Sequence, residues 1–191
     1  FAALDSARGG AVREGNVGGG TGMVAHGFKG GIGTSSRRVG ERYTLGVLVQ
    51  ANYGTREALT IAGVPVGREV TGAGRERRDG GAADGTPPAD RDGSIIVVVA
   101  TDAPLLPHQL ERLARRVPMG IARLGGTASN GSGDIFIAFS TANRGAAAST
   151  GETPLSWLPN NDLSPFFVAT IEAVEEAIVN ALVAAETMTG A

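Results

Sequence analysis

The sequence predicts a layered α/β (α+β) fold in a single domain over residues 1–191. Three observations carry that expectation. "SIIVVVAT" (94–101) is an unbroken β-branched run, the pattern of a strand covered above and below. "YTLGVLVQAN" (43–52) and "DIFIAFSTAN" (134–143) read as further strands, the second alternating cleanly. Beyond Ser164, the residues Phe167, Ile171, Val174, Ile178 and Leu182 fall on one helical stripe. Strands and helices with such faces must bury them against one another.

Taken in order, "FAALDSARGG" reads as the tail of a helix stopped by Gly9 and Gly10. The expectation is therefore that residues belonging before Phe1 are absent, which leaves a targeting signal open. A glycine-rich turn follows, then two short strands near 23–28 and 31–39. The strand 43–52 ends at Asn52, and "ALTIAGVPVG" (58–67) reads as its neighbour, with Pro65 near an edge. Residues 67–93 carry many charges, repeated Gly and Pro and few apolar anchors, so burial cannot offset their ordering entropy; they are expected to be a flexible linker. In "PHQLERLARRV" Leu106, Leu110, Leu113 and Val117 keep helical spacing, and Pro118 stops or kinks the helix. Ser164 offers an N-cap, with Pro165 at the first helical position.

Composition narrows the chemistry. With 42% hydrophobic residues and a formal charge of −2, the chain is that of a globular protein without the basic stripe that nucleic acid requires. No apolar run approaches the roughly 18 to 20 residues that span a bilayer. The absence of cysteine removes disulfides, thiolate catalysis and cysteine-bound zinc. Two histidines, His26 and His108, leave little room for a histidine-based triad, and structural or solvated roles are expected for both. Neither a metal nor a cofactor is expected. "GNVGGGTGM" fails as a P-loop because Lys29 lies between Phe28 and Gly30, and Met23 breaks the dinucleotide spacing; tight packing explains its glycines better.

Ser94 stands where the charged tract meets the rigid strand, directly after Gly93. That is what backbone self-cleavage needs: the hydroxyl attacks the Gly93 carbonyl, an ester forms, and water releases Ser94 as a new chain terminus. A terminal α-amine has a pKa of about 7.7–8.0, so near neutral pH it can serve as the base for its own hydroxyl. The bland alternative is a loop that ends in Gly-Ser before a core strand. Ser132 and Asp134, two apart in "TASNGSGDIF", share a face if strand geometry already holds there, and could orient a nucleophile; a turn bonding its own backbone is the alternative. Asn52 ends its strand with a side-chain amide, a suitable oxyanion donor or else a turn cap.

Four motifs, "EGNVGGGTGMVAHGFKGGIGTSSR", "VLVQANYG", "GSIIVVVATDAPL" and "NGSGDIFIAFSTAN", resemble in order the L-aminopeptidase/D-esterase (DmpA-like) family, which includes the β-peptidyl aminopeptidases. The resemblance runs from about residue 13 to the last helix. It implies a four-layer α/β/β/α sandwich, akin to N-terminal nucleophile hydrolases but differently connected. It implies a precursor cut at Gly93–Ser94, with 1–93 as the C-terminal part of one chain and 94–191 as the other. Ser94 would be the nucleophile, Asn52 the oxyanion donor, and Ser132 with Asp134 its supporting pair. It further implies metal-free release of N-terminal residues from peptides, amides or esters, and assembly as a homo-oligomer. The family's region ahead of the glycine-rich motif, which helps recognise the substrate's amino group, has no counterpart here, so a missing N-terminal segment is an expected partner. A bacterial-type cytoplasmic or periplasmic location is expected, with no membrane or nucleic-acid partner. The rival readings are a non-catalytic fragment or assembly subunit, and an ornithine acetyltransferase-like acyl transferase, against which a serine rather than a threonine at position 94 argues.

Overall fold

Alternation of buried and open positions organises the sheet. In the computed structural model, which describes residues 1–70, 93–148 and 150–188, four strands lie side by side in chain order: β3 (Gly31–Val39), β4 (Tyr43–Asn52), β5 (Ser94–Thr101) and β6 (Ile135–Ser140). The first three are antiparallel neighbours and β6 joins β5 in parallel. A two-stranded ribbon, β1 (Val24–Ala25) with β2 (Phe28–Lys29), stands where one strand over 23–28 was expected. His26 and Gly27 take φ of 49° and 68°, which turns the chain back on itself between them.

Leu45, Val47, Val49 and Ala51 of β4, with Ile95, Val97 and Val99 of β5, point into one buried face. Burying each of the larger ones fully is worth about 1.5–3 kcal/mol. A one-residue slip of β5 would turn Ile95, Val97 and Val99 outward and carry the Ser94 side chain to the buried face, so packing holds the register that places Ser94 opposite Asn52.

Helices cover this face: α3 (Pro107–Ala114), α4 (Val117–Arg123) and α5 (Ser164–Val183). The expected helix breaks earlier than Pro118, after Ala114, and Val117 and Pro118 open α4 instead. The stripe expected on α5 is rotated in the structure. Val174 and Ile178 are buried, but Ala169, Ala173, Ala177 and Ala181 form the rest of the contact row while Phe167, Ile171 and Leu182 flank it. Alanine wins because the helix lies very close to the sheet: a Cβ placed on Gly33 would fall 1.9 Å from the Ala177 carbonyl oxygen. Ser164 is the first helical residue rather than the cap, which is Leu163 and supplies no side-chain bond.

Two further expectations are corrected. Residues 58–67 do not form a strand. Ala62 and Gly63, with φ of 51° and 79°, fold the segment into a tight turn bridged only between Ile61 and Val64. The short helices α1 (Ala2–Asp5) and α2 (Val66–Glu69), with three 3-10 turns at Gly18–Gly22, Arg56–Ala58 and Asn160–Asp162, complete the described elements, and α2 takes up the start of the 67–93 tract. The remainder of that expected linker, 71–92, lies outside the described residues.

The second correction concerns β5, expected to be covered on both faces. Among the described residues only one face is covered. On the other, Leu48, Val98 and Ala100 are half-buried, and Ile96, Ile135, Ile137 and Phe139 are exposed. This open apolar face carries Asn52 and Ser94 at one end. No helix among the described residues is long and apolar enough to cross a membrane.

Candidate active site

The site lies where β4 ends and β5 begins. Asn52 and Ser94 are partners across the antiparallel ladder, so their side chains stand side by side on the open face. The Asn52 Oδ1 accepts a hydrogen bond from the Val24 N–H at 3.0 Å. An amide oxygen is the part of a carboxamide that accepts, so this bond does not engage the NH2 group, the donor end of Asn52.

Ser132 and Asp134 come from the turn before β6, some forty residues further along the chain. Strand geometry does not bring them together, because β6 begins only at Ile135. They meet directly: the Ser132 hydroxyl donates to Asp134 Oδ1 at 2.6 Å. The same oxygen accepts the Ile95 N–H at 3.0 Å, so the carboxylate braces the backbone immediately after Ser94 instead of its own turn. Between them, the Gly133 N–H donates to Ser94 Oγ at 2.9 Å. Sequence reasoning passed over Gly133 because its contribution is a main-chain donor, and side-chain chemistry gives no sign of it.

Gly93 answers to a steric demand. A Cβ there would lie 1.8 Å from the Asn52 carbonyl oxygen, so only glycine lets the chain cross the end of β4 into Ser94. A cavity of about 110 Å³ opens beside it, lined by Tyr53, Thr55, Gly93, Thr127, Ser132 and Asp134 among others. The Tyr53 hydroxyl is buried there without a hydrogen-bond partner among the described residues. Burial, and then the nearby Asp134 carboxylate, push its phenol well above the usual range, which keeps it neutral. Tyr53 is the second residue that sequence reasoning missed, although "QANYG" places it beside Asn52.

The two histidines have other surroundings. His108 is exposed in the first turn of α3. His26 is fully buried, packed edge-on against Tyr53 with ring centroids 4.8 Å apart. Its Nδ1 lies 3.0 Å from the Thr55 carbonyl oxygen, so Nδ1 carries the proton and donates. Burial lowers its pKa below 6.5 and outweighs that bond. Among the described residues no three His, Asp or Glu side chains cluster in a way that could hold a metal ion. Several glycines of the 15–31 region serve close packing, though Gly18 and Gly22 do not: Cβ atoms on Gly19, Gly20 and Gly31 would strike Gln50 Oε1 or the Gly15 carbonyl oxygen within 2.5 Å.

This arrangement can be compared with known proteins. The model of peptidase family S58 matches residues 1–191, the whole chain. The chain belongs to peptidase family S58. Its curated relatives include the β-peptidyl aminopeptidases BapA of Sphingosinicella microcystinivorans and Sphingosinicella xenopeptidilytica, 53% and 52% identical over 98% and 100% of this chain. The chain spans about half the length of both, 49% in each case. Among solved structures, the L-aminopeptidase D-Ala-esterase/amidase of Ochrobactrum anthropi matches with a TM-score of 0.80 and 50% identity over 99% of this chain and 50% of its own. A Burkholderia β-aminopeptidase matches with a TM-score of 0.80 and 48% identity, over 98% of this chain and 51% of its own. The fold is therefore that of this S58 variant of the N-terminal nucleophile hydrolases, as the sequence motifs had led us to expect.

Proposed function

We propose that this chain carries the nucleophile half of a self-processing serine aminopeptidase. One observation supports the reading above all: Asn52, Ser94 and the Ser132–Asp134 pair, widely separated in sequence, converge at the end of the open sheet face around one hydroxyl. In the first reaction Ser94 Oγ attacks the Gly93 carbonyl carbon. The C–O bond forms, the C–N bond breaks, and the hydroxyl proton passes to the departing nitrogen. Water then splits the ester, leaving the Gly93 carboxylate and a Ser94 with a free amine and hydroxyl. In the second reaction the same oxygen attacks the acyl carbon of a peptide, amide or ester, and the Ser94 amine accepts its proton and hands it to the leaving group. The Asn52 NH2 stabilises the charge that develops on the acyl oxygen, the Gly133 N–H holds the Ser94 hydroxyl oxygen in position, and the Ser132–Asp134 pair holds the start of β5 in place.

The open apolar face supports a second part of the proposal. Ile96 and Ile135 lie near Ser94, and Ile137 and Phe139 continue the row along the sheet, on a surface that a single layer would leave wet. In the complete polypeptide the remaining half, or a neighbouring copy in a homo-oligomer, would cover this face and close the substrate site above Ser94. Relatives named for β-peptides and for L-amino acids support N-terminal amino-acid derivatives as the substrate class.

Intact-mass analysis of the parent beside Ser94→Ala tests the reading. The parent is expected to resolve into chains ending at Gly93 and beginning at Ser94, and the variant to remain whole. A parent that stays uncut in the complete polypeptide would overturn it.

A further inference from the structure

The Asn52 carboxamide can be held in either of two orientations of nearly equal shape, and only one presents a donor to the acyl oxygen. What selects it is the Val24 N–H, which can bond only to the oxygen. Val24 lies on the two-residue strand β1, too short to hold itself in place by its own ladder.

Lys29, the chain's one lysine, makes up the difference. It is the register partner of Val24 across the ribbon. Its ammonium donates to the carbonyl oxygens of Gly20 at 3.0 Å, Met23 at 2.7 Å and Gly30 at 3.0 Å. Three donors thus meet three acceptors, two before β1 and one after β2. The Gly30 N–H also bonds the Met23 oxygen, at 2.9 Å. The ribbon is tied shut at its base, and Val24 stays pressed against Asn52.

We propose that Lys29 is a positioning residue for the reaction: through the ribbon it keeps the Val24 N–H on Asn52 Oδ1 and so keeps the Asn52 NH2 turned toward the acyl oxygen. The proposal rests on the catalytic reading above.

A double-mutant cycle in the complete polypeptide, with kcat and KM measured on amino-acid p-nitroanilides, tests it. Lys29→Met and Val24→Pro, the second deleting the N–H donor while also fixing φ and replacing the valine side chain, are each expected to lower kcat by about tenfold to 100-fold with KM unchanged. In an Asn52→Ala background neither is expected to lower it further. A Lys29→Met loss that adds fully to that of Asn52→Ala, or parent kcat in Lys29→Met, would overturn the role of Lys29. Where Lys29→Met fails to fold, Lys29→Arg takes its place, since a guanidinium cannot set three donors on one point: a kcat loss that vanishes in the Asn52→Ala background supports the role, and parent kcat overturns it. Asn52→Ala at the parent rate would instead sink the catalytic reading itself, so the two failures are told apart.

Discussion

Gly93 and His26 show how single positions answer to their surroundings. Gly93 is required because the Asn52 carbonyl oxygen occupies the space that any Cβ would need. Gly93→Ala is therefore expected to displace the start of β5 and to slow self-cleavage severely, read as precursor persisting in intact-mass spectra while Ser94 is still present. His26 predicts a pH effect. The unfolded chain takes up a proton near 6.5, whereas the buried ring resists it to lower pH. Between those values the unfolded state binds more protons, so stability that is fully present above about 6.5 is lost as pH falls through the folded value. The thermal midpoint should thus drop on acidification below that point. His26→Asn, which tolerates the positive φ of 49°, should flatten the dependence. An unchanged slope would remove His26 as its cause.

At the scale of elements, the contact between α5 and β3 governs the layer. The Ser35 hydroxyl donates to the Ala173 carbonyl at 2.6 Å, and the Asn180 amide to the Thr34 carbonyl at 2.8 Å, which ties the helix to the strand along its length. Gly33 is the point of closest approach. Gly33→Ala is expected to cost about 1–3 kcal/mol, because the helix must move away to admit the methyl group. Gly46→Ala serves as its counterpart on β4. A Cβ there meets only the Ser35 carbonyl oxygen, at 3.9 Å, so that variant should be neutral or slightly stabilising. Urea denaturation of the two variants checks the contrast, and equal losses would refute the close-packing account.

Over the whole molecule, the uncovered side of the sheet dominates behaviour. Its exposed isoleucines and Phe139 form a continuous apolar surface along β5 and β6. The 191-residue chain by itself is expected to bind a hydrophobic dye and to self-associate with rising concentration. Ile137→Lys with Phe139→Lys should reduce both in sedimentation and fluorescence measurements. In the complete polypeptide the same pair should instead destabilise the protein, since charges would be buried beneath the covering layer. Improved stability there would argue that the face stays wet.

Much of this was legible in the chain. The strands 31–39, 43–52 and 94–101 and the helix from Ser164 follow from residue pattern, because side-chain direction repeats with the period of the element. The candidates Asn52, Ser94, Ser132 and Asp134 were readable by chemical type and motif. Which face of β5 is open, the alanine row of α5 and the turn at Ala62–Gly63 were not, because each depends on what a distant segment brings to that surface. The same holds for the site. Sequence alone named the hydroxyl, the amide and the carboxylate, but only the ladder between β4 and β5 set Asn52 beside Ser94, and only the turn before β6 aimed the Gly133 N–H at the Ser94 hydroxyl oxygen. Residue identity determines which chemistry is available; the burial of the sheet face determines the register, and the register decides which of those groups meet.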